Sequence, residues 1–248
     1  MNKNIFITGA SSGLGKQMAL EFASRGYNLA LTARREDILV DLKEQIQKAY
    51  KVEVFVLALD VLEYEQTQQA IDSAAAALGS IDKVIANAGI GSGGRIGDSG
   101  AFVQARDVIN TNVVGAMATI DAATAFFRRQ GHGHVITLSS VAAFRGLPGS
   151  GAYSASKAAI SVYSEALRAE TYDENIDVTV LLPGYIDTPI NNSLKSRPFL
   201  IDLASGGRIL ADLIEKKVKR STVPPWPWGL VARIIALLPT AVVAKTMG

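Results

Sequence analysis

Ile5-Phe6-Ile7-Thr8-Gly9-Ala10-Ser11-Ser12-Gly13-Leu14-Gly15 is the stretch on which the fold turns. An apolar, β-branched run gives way at once to a turn spaced Gly-x-x-x-Gly-x-Gly. Residues 16–24 then place Met18, Leu20 and Phe22 among good helix formers and stop at Gly26. Strand, glycine turn and helix in that order aim the unbonded N–H groups of the helix start at the space beyond the strand, a cradle for a pyrophosphate. The spacing is not the common Gly-x-Gly-x-x-Gly, and a glycine-rich turn alone is a weak sign. Its place directly after the first strand gives it weight.

Outward from this unit the pattern repeats. Apolar runs at residues 28–33, 53–58, 83–86, 135–138 and 178–182 alternate with helix-length segments, of which 37–50 places Ile38, Leu42 and Ile46 four apart. Runs apolar on both faces read as central parallel strands covered on each side. The expected fold is a single Rossmann-like, doubly wound α/β domain over residues 1–248, with a parallel sheet of about seven strands and helices on both faces. Residues 112–127 are apolar around nearly the whole circumference, which suits a central helix or a subunit interface.

After Pro183 the regular alternation stops. Residues 184–203 have the length of a functional loop, a helix-like segment covers 206–218, and Val223-Pro224-Pro225-Trp226-Pro227-Trp228 reads as a stiff aromatic turn. Residues 184–248 are therefore expected to form a substrate lid and an apolar extension. For Trp226, Trp228, Leu230, Val231, Ile234, Ile235, Leu237 and Leu238 the readings are, in order, a lid, a subunit contact or a membrane-surface helix, beside a plain cap on the core. Lys216, Lys217, Lys219 and Arg220 read as a solvated helix end, with attraction to anionic lipid or an acyl carrier as the lesser reading.

A net charge of +2, from 25 basic and 23 acidic residues spread along the chain, argues against a nucleic-acid partner. There is no cysteine, which removes thiolate chemistry and suits a reducing cytosol. His132 and His134 lack a third ligand at a recognisable spacing and read as a solvated loop, so no metal is assigned. The N-terminal apolar run is too short for a signal peptide, and the tract 229–239 falls short of the roughly 20 residues of a membrane span. A cytoplasmic location is expected, with peripheral membrane contact left open.

Three further groups carry chemistry. Where an acidic residue would hold the ribose diol of NAD, the second strand ends in Ala33-Arg34-Arg35, whose guanidinium groups suit the 2'-phosphate of NADP(H). A solvated basic pair is the plain alternative. Tyr153-Ser154-Ala155-Ser156-Lys157 opens a helix and puts a phenol and an ammonium on one face, where the positive charge favours phenolate. Upstream, the strand Val135-Ile136-Thr137-Leu138 runs into Ser139-Ser140 at the edge where such sheets bind ligands.

In these motifs and their order the chain resembles the short-chain dehydrogenase/reductase family, over about residues 4–190. The motifs are the residue 8–15 loop, Asp60-Val61, Asn87-Ala88-Gly89, Asn112, Ser140, Tyr153, Lys157 and Pro183-Gly184-Tyr185-Ile186-Asp187-Thr188. The resemblance implies that Tyr153 is the general acid/base and that Ser140 polarises the substrate oxygen. It gives Lys157 the nicotinamide ribose and a lowering of the tyrosine pKa, and Asn112 a place in a proton relay. The residue types and their placement already give the pyrophosphate to Gly9, Ser11, Ser12, Gly13, Leu14 and Gly15 and the adenosine phosphate to Arg34 and Arg35, and the resemblance implies the rest of the cofactor site. Asp60 and Val61 meet the adenine, Asn87, Ala88 and Gly89 line the ribose, and Pro183, Gly184, Ile186 and Thr188 flank the nicotinamide. The expected activity is hydride transfer between NADP(H), preferred over NAD(H), and a small apolar carbonyl or alcohol, by a homodimer or homotetramer. The other class kept open is a catalytically silent NADP(H)-sensing protein of the same fold. Two departures from the family pattern stand out, Ala86 before Asn87 and the six-glycine loop of residues 89–100, which puts the shape of the pocket in question.

Overall fold

The computed structural model describes residues 3–91, 93–192, 194 and 196–246. Ser92 of the glycine-rich loop, Ser193 and Lys195 of the 184–248 region, and Met1, Asn2, Met247 and Gly248 at the chain ends lie outside them.

Each of the six apolar runs becomes a parallel strand, and a seventh strand joins them. These are β1 (Asn4–Thr8), β2 (Asn28–Ala33), β3 (Val54–Ala58), β4 (Lys83–Ala86), β5 (Gly133–Leu138), β6 (Ile176–Pro183) and β7 (Arg220–Val223), in the order β3-β2-β1-β4-β5-β6-β7. The order reverses between β1 and β4, which opens a crevice at the C-terminal edge there. The helices are α1 (Gly13–Ser24), α2 (Glu36–Ala49), α3 (Tyr64–Leu78), α4 (Ala101–Ile109), α5 (Ala116–Gln130), α6 (Gly151–Glu170), α7 (Leu203–Glu215), α8 (Trp228–Leu237) and α9 (Thr240–Thr246). On one side of the sheet Met18, Phe22, Leu39, Ile46 and Leu210 bring α1, α2 and α7 onto β1 and β2. On the other, Ile71, Ile120, Phe127 and Ile160 bring α3, α5 and α6 onto β4, β5 and β6. Both faces are thus covered, which is why these strands are apolar on both sides.

Three expectations change. Alternation does not end at Pro183, because β7 pairs in parallel register with β6, Val180 opposite Arg220 and Pro183 opposite Val223. Its four residues carry too few apolar positions to announce a strand; of the expected aromatic turn, Val223 ends β7, Trp228 begins α8, and residues 224–227 form the turn between them. Next, His134 is not in a solvated loop. It lies within β5, 2% exposed, with Nε2 2.8 Å from Thr179 Oγ1. That hydroxyl donates to Val218 O, so His134 Nε2 carries the hydrogen and donates to it. The segment 112–127 is not one regular helix either. Residues Asn110–Gly115 are π-helical before α5, and Val114 and Asp121 face out. The basic cluster near residue 218 is exposed, as a solvated helix end should be, and partly paired. Lys217 meets Asp177 at 2.6 Å and Arg220 meets Glu165, both below the sheet edge that holds the crevice.

Candidate active site

A cleft of about 860 Å³ runs along the C-terminal edge of the sheet. One end is built by the loop between β1 and α1. A side chain at Gly9, where φ is +68°, would set its Cβ 2.8 Å from Ala88 Cα, and one at Gly15 would lie 2.3 Å from the Gly9 carbonyl oxygen. Only glycine lets the loop close this tightly on the turn after β4. Asn87 holds the two together, Nδ2 donating to the Thr8 carbonyl at 2.8 Å while its backbone N–H donates to Thr8 Oγ1. Ser11, Ser12, Gly13 and Leu14 complete the rim, and Arg35 Nη2 donates to Ser11 Oγ at 3.0 Å. Arg34, Asp60, Val61, Ala88 and Gly89 line the same end. A glycine cradle, free helix-start amides and two guanidinium groups are the donor set a dinucleotide phosphate requires.

The catalytic candidates meet midway along the cleft. Ser140 Oγ caps the 3-10 turn Val141–Phe144, accepting from Ala142 N at 3.1 Å, and reaches the Pro183 carbonyl at 3.4 Å. Its neighbour Ser139 is spent on structure, donating to the Lys157 carbonyl at 2.8 Å and accepting from Ser161. Tyr153 and Lys157 project from α6 with the ammonium 5.7 Å from the phenol ring centroid. Lys157 Nζ donates to the Leu138 carbonyl at 2.8 Å.

The protonation balance differs from expectation. Burial pushes the Tyr153 phenol above its ordinary value, and the hydrogen bond with Ser140 opposes that rise. Burial also lowers the Lys157 ammonium to about 8. The lysine charge is tied to a backbone carbonyl beside the ring rather than to the hydroxyl, so the protein's own groups keep the phenol protonated at neutral pH.

Asn112 is the one catalytic candidate that does not line the cleft. It is buried beneath it in the π-helical stretch, Nδ2 donating to Ile90 O at 2.9 Å and to Ser156 Oγ at 3.2 Å, while Oδ1 accepts from Ile90 N at 2.8 Å. Ser156 Oγ in turn donates to the Tyr153 carbonyl. Asn112 therefore ties the turn after β4 to the helix that carries the tyrosine.

Pro183, Gly184, Ile186 and Thr188 follow β6 along the cleft floor. Beyond them stand side chains that residue patterns did not place in the site, among them Leu147, Tyr185, Ile190 and Leu194. Tyr185 lay inside a quoted motif but carried no chemical signal of its own. Trp228 stacks edge-on with Tyr185 and Phe199 at 5.8 and 5.7 Å, and its ring rests on Gly184. Its Nε1 has no hydrogen-bond partner among the described residues.

Fold and site define a doubly wound α/β protein with a phosphate cradle and a Ser-Tyr-Lys cluster on one cleft. Comparison with known proteins agrees. A family model described as short chain dehydrogenase matches residues 3–198. An uncharacterized oxidoreductase of Mycobacterium tuberculosis is 41% identical over 239 residues, spanning 96% of this chain and 94% of that one. The 11-beta-hydroxysteroid dehydrogenase 1A of Arabidopsis thaliana is 30% identical, spanning 90% of this chain and 69% of its own length. The structure of an alcohol dehydrogenase from Thermococcus sibiricus, complexed with 5-hydroxy-NADP, superposes with a TM-score of 0.81 at 27% identity, over 90% of this chain and 96% of that one. The chain belongs to the short-chain dehydrogenase/reductase family and is an oxidoreductase of that family. No helix among its described residues is long and apolar enough to cross a membrane.

Proposed function

We propose that this protein interconverts a carbonyl and an alcohol on an uncharged, apolar substrate with NADP(H). The observation that carries the reading is the convergence of Ser140, Tyr153 and Lys157 on one cleft with the glycine cradle. Arg34 and Arg35 would hold the 2'-phosphate, the residue 9–15 loop the pyrophosphate, and Lys157 the nicotinamide ribose. The chemistry the dinucleotide supplies when bound is donation or acceptance of a hydride at the substrate carbon.

In the reducing direction the Ser140 hydroxyl donates a hydrogen bond to the substrate oxygen, and Tyr153 Oη delivers its proton to that oxygen as negative charge develops. The raised phenol pKa suits this role, since the proton is in place at neutral pH. In the oxidising direction the proton returns to Tyr153. Among the described residues the ionisable side chains lining the cleft are Arg34, Arg35 and Asp60 at the adenosine end and Lys157, Tyr153 and Tyr185 at the centre, while Leu147, Ile190, Leu194, Trp228 and Ile235 line the far end. Such walls select apolar carbonyl compounds, and the plant relative named for a hydroxysteroid supports an alicyclic ketone of that size.

The test is NADPH and NADH oxidation against a panel of cyclic and aliphatic ketones, with Tyr153→Phe alongside. Turnover is expected with NADPH, and the phenylalanine variant should lose about 10²–10⁴-fold in kcat while binding NADPH normally. NADPH binding with no turnover of any carbonyl would favour the sensing protein instead.

A further inference from the structure

The helix α8 is apolar on two faces, and only one of them is used. Its inner face turns Trp228 and Ala232 into the protein and sets Ile235 on the cleft wall. Its outer face carries Leu230, Ile234 and Leu237, spaced four and three apart, with Trp226 just ahead of the helix. Trp226 is 73% exposed and Leu237 86%, in a helix whose one charged residue is Arg233. A helix apolar all round is a buried helix in globular proteins, so this face lacks its cover.

Charge selects the cover. From residue 216 to 248 the sequence holds six Lys and Arg and no Asp or Glu, and Arg233 on α8 and Lys245 on α9 are exposed. The lysines before β7 do not contribute, since they sit below the opposite part of the sheet edge and Lys217 is paired with Asp177. A contact between two copies of this face would bring Arg233 and Lys245 of both copies into one interface to which residues 216–248 contribute no acid. An anionic bilayer surface receives both, and an indole at the edge of an apolar stripe suits the headgroup level.

The geometry points to a membrane-surface docking face on the α8–α9 lid, formed by Trp226, Leu230, Ile234 and Leu237 and seated on anionic lipid. Arg145 fastens this lid to the catalytic wall, donating to Ala236 O and Thr240 Oγ1 at 3.3 Å from the end of the Ser140 turn. Docking there would place the cleft wall formed by Ile235 and Trp228 next to the bilayer.

The full chain is mixed with vesicles of phosphatidylcholine, with and without phosphatidylglycerol, and bound protein is read by sedimentation and by quenching of Trp226 with brominated acyl chains. Binding to the anionic vesicles is expected, weakened about tenfold or more by Leu230→Gln/Leu237→Gln and by Arg233→Gln/Lys245→Gln. Circular dichroism and NADPH affinity check that the variants fold. The proposal is overturned by absence of binding to anionic vesicles, by equal binding to both vesicle types, or by folded variants that bind as the parent does. It is equally overturned if the leucine variant halves the solution mass while the parent ignores lipid, since the face would then be a contact between copies.

Discussion

Burial sets the proton count of side chains that the chain cannot rehydrate. His134 is held inside β5 between a hydroxyl and the sheet, and burial followed by the charge of Lys83 lowers its pKa from 6.5 to about 3. The unfolded chain binds a proton there as pH falls below 6.5 and the folded chain does not. The associated stability is therefore complete above 6.5 and is lost as pH falls towards 3. The term is on the order of 5 kcal/mol. His134→Gln keeps a donor for Thr179 without the titration, so its unfolding free energy, measured in denaturant from pH 7 to 4, should fall less steeply by close to one proton. A parallel slope would show that His134 is not the acid-sensitive group. Arg34 gives the second test at this scale. Arg34→Asp should raise the KM for NADPH about tenfold or more by placing a carboxylate against the phosphate, and leave NADH no worse. An unchanged preference would leave the discrimination to Arg35, which the structure binds to the phosphate loop.

At the scale of elements, α8 is positioned by one close approach. A Cβ on Gly184 would meet Trp228 Nε1 at 2.1 Å, so Gly184→Ala must push α8 off the cleft wall. The expected cost is about 1–3 kcal/mol, with a rise in KM for the carbonyl substrate. Trp228→Phe removes the colliding edge and forfeits no hydrogen bond, because Nε1 makes none among the described residues. The double variant should therefore recover much of the stability lost by Gly184→Ala, and strict additivity in thermal melts would show that the two residues do not meet.

The same scale explains what could be read from residue order. β1 to β6 were legible because each is an apolar run between helix-period segments, and the Tyr153/Lys157 pair because an i, i+4 spacing survives any packing. β7 was not, since its existence depends on pairing with β6 rather than on its own four residues. The π-helical turn at residues 110–115 was equally silent. It is fixed by Asn112 bonding Ile90 across the fold, a partner no local pattern names. His134 misled because two histidines among glycines look like a loop until the sheet closes over them.

For the whole molecule the open question is assembly, and α6 frames it. Its inner face carries Tyr153 and Lys157, while its outer face leaves Val162 65% exposed; Val114 of the π-helical stretch that packs on α6 and Tyr172 after the helix are exposed as well. Large apolar side chains on adjoining solvent faces of one domain suit a self-complementary contact. Docking a second copy there would brace from outside the helix whose inner face carries the proposed catalytic pair. We expect light scattering to give a mass of at least twice the 26.3 kDa of one chain. Val162→Glu should halve it, because the substitution sets like charges against each other across a two-fold contact. Since the position is exposed, the monomer should stay folded, with NADPH affinity close to that of the parent. Its kcat should fall as α6 loses its brace. A parent that is monomeric at micromolar concentration would defeat the prediction, and a dissociated variant with full kcat would show that the contact leaves the catalytic helix unaffected.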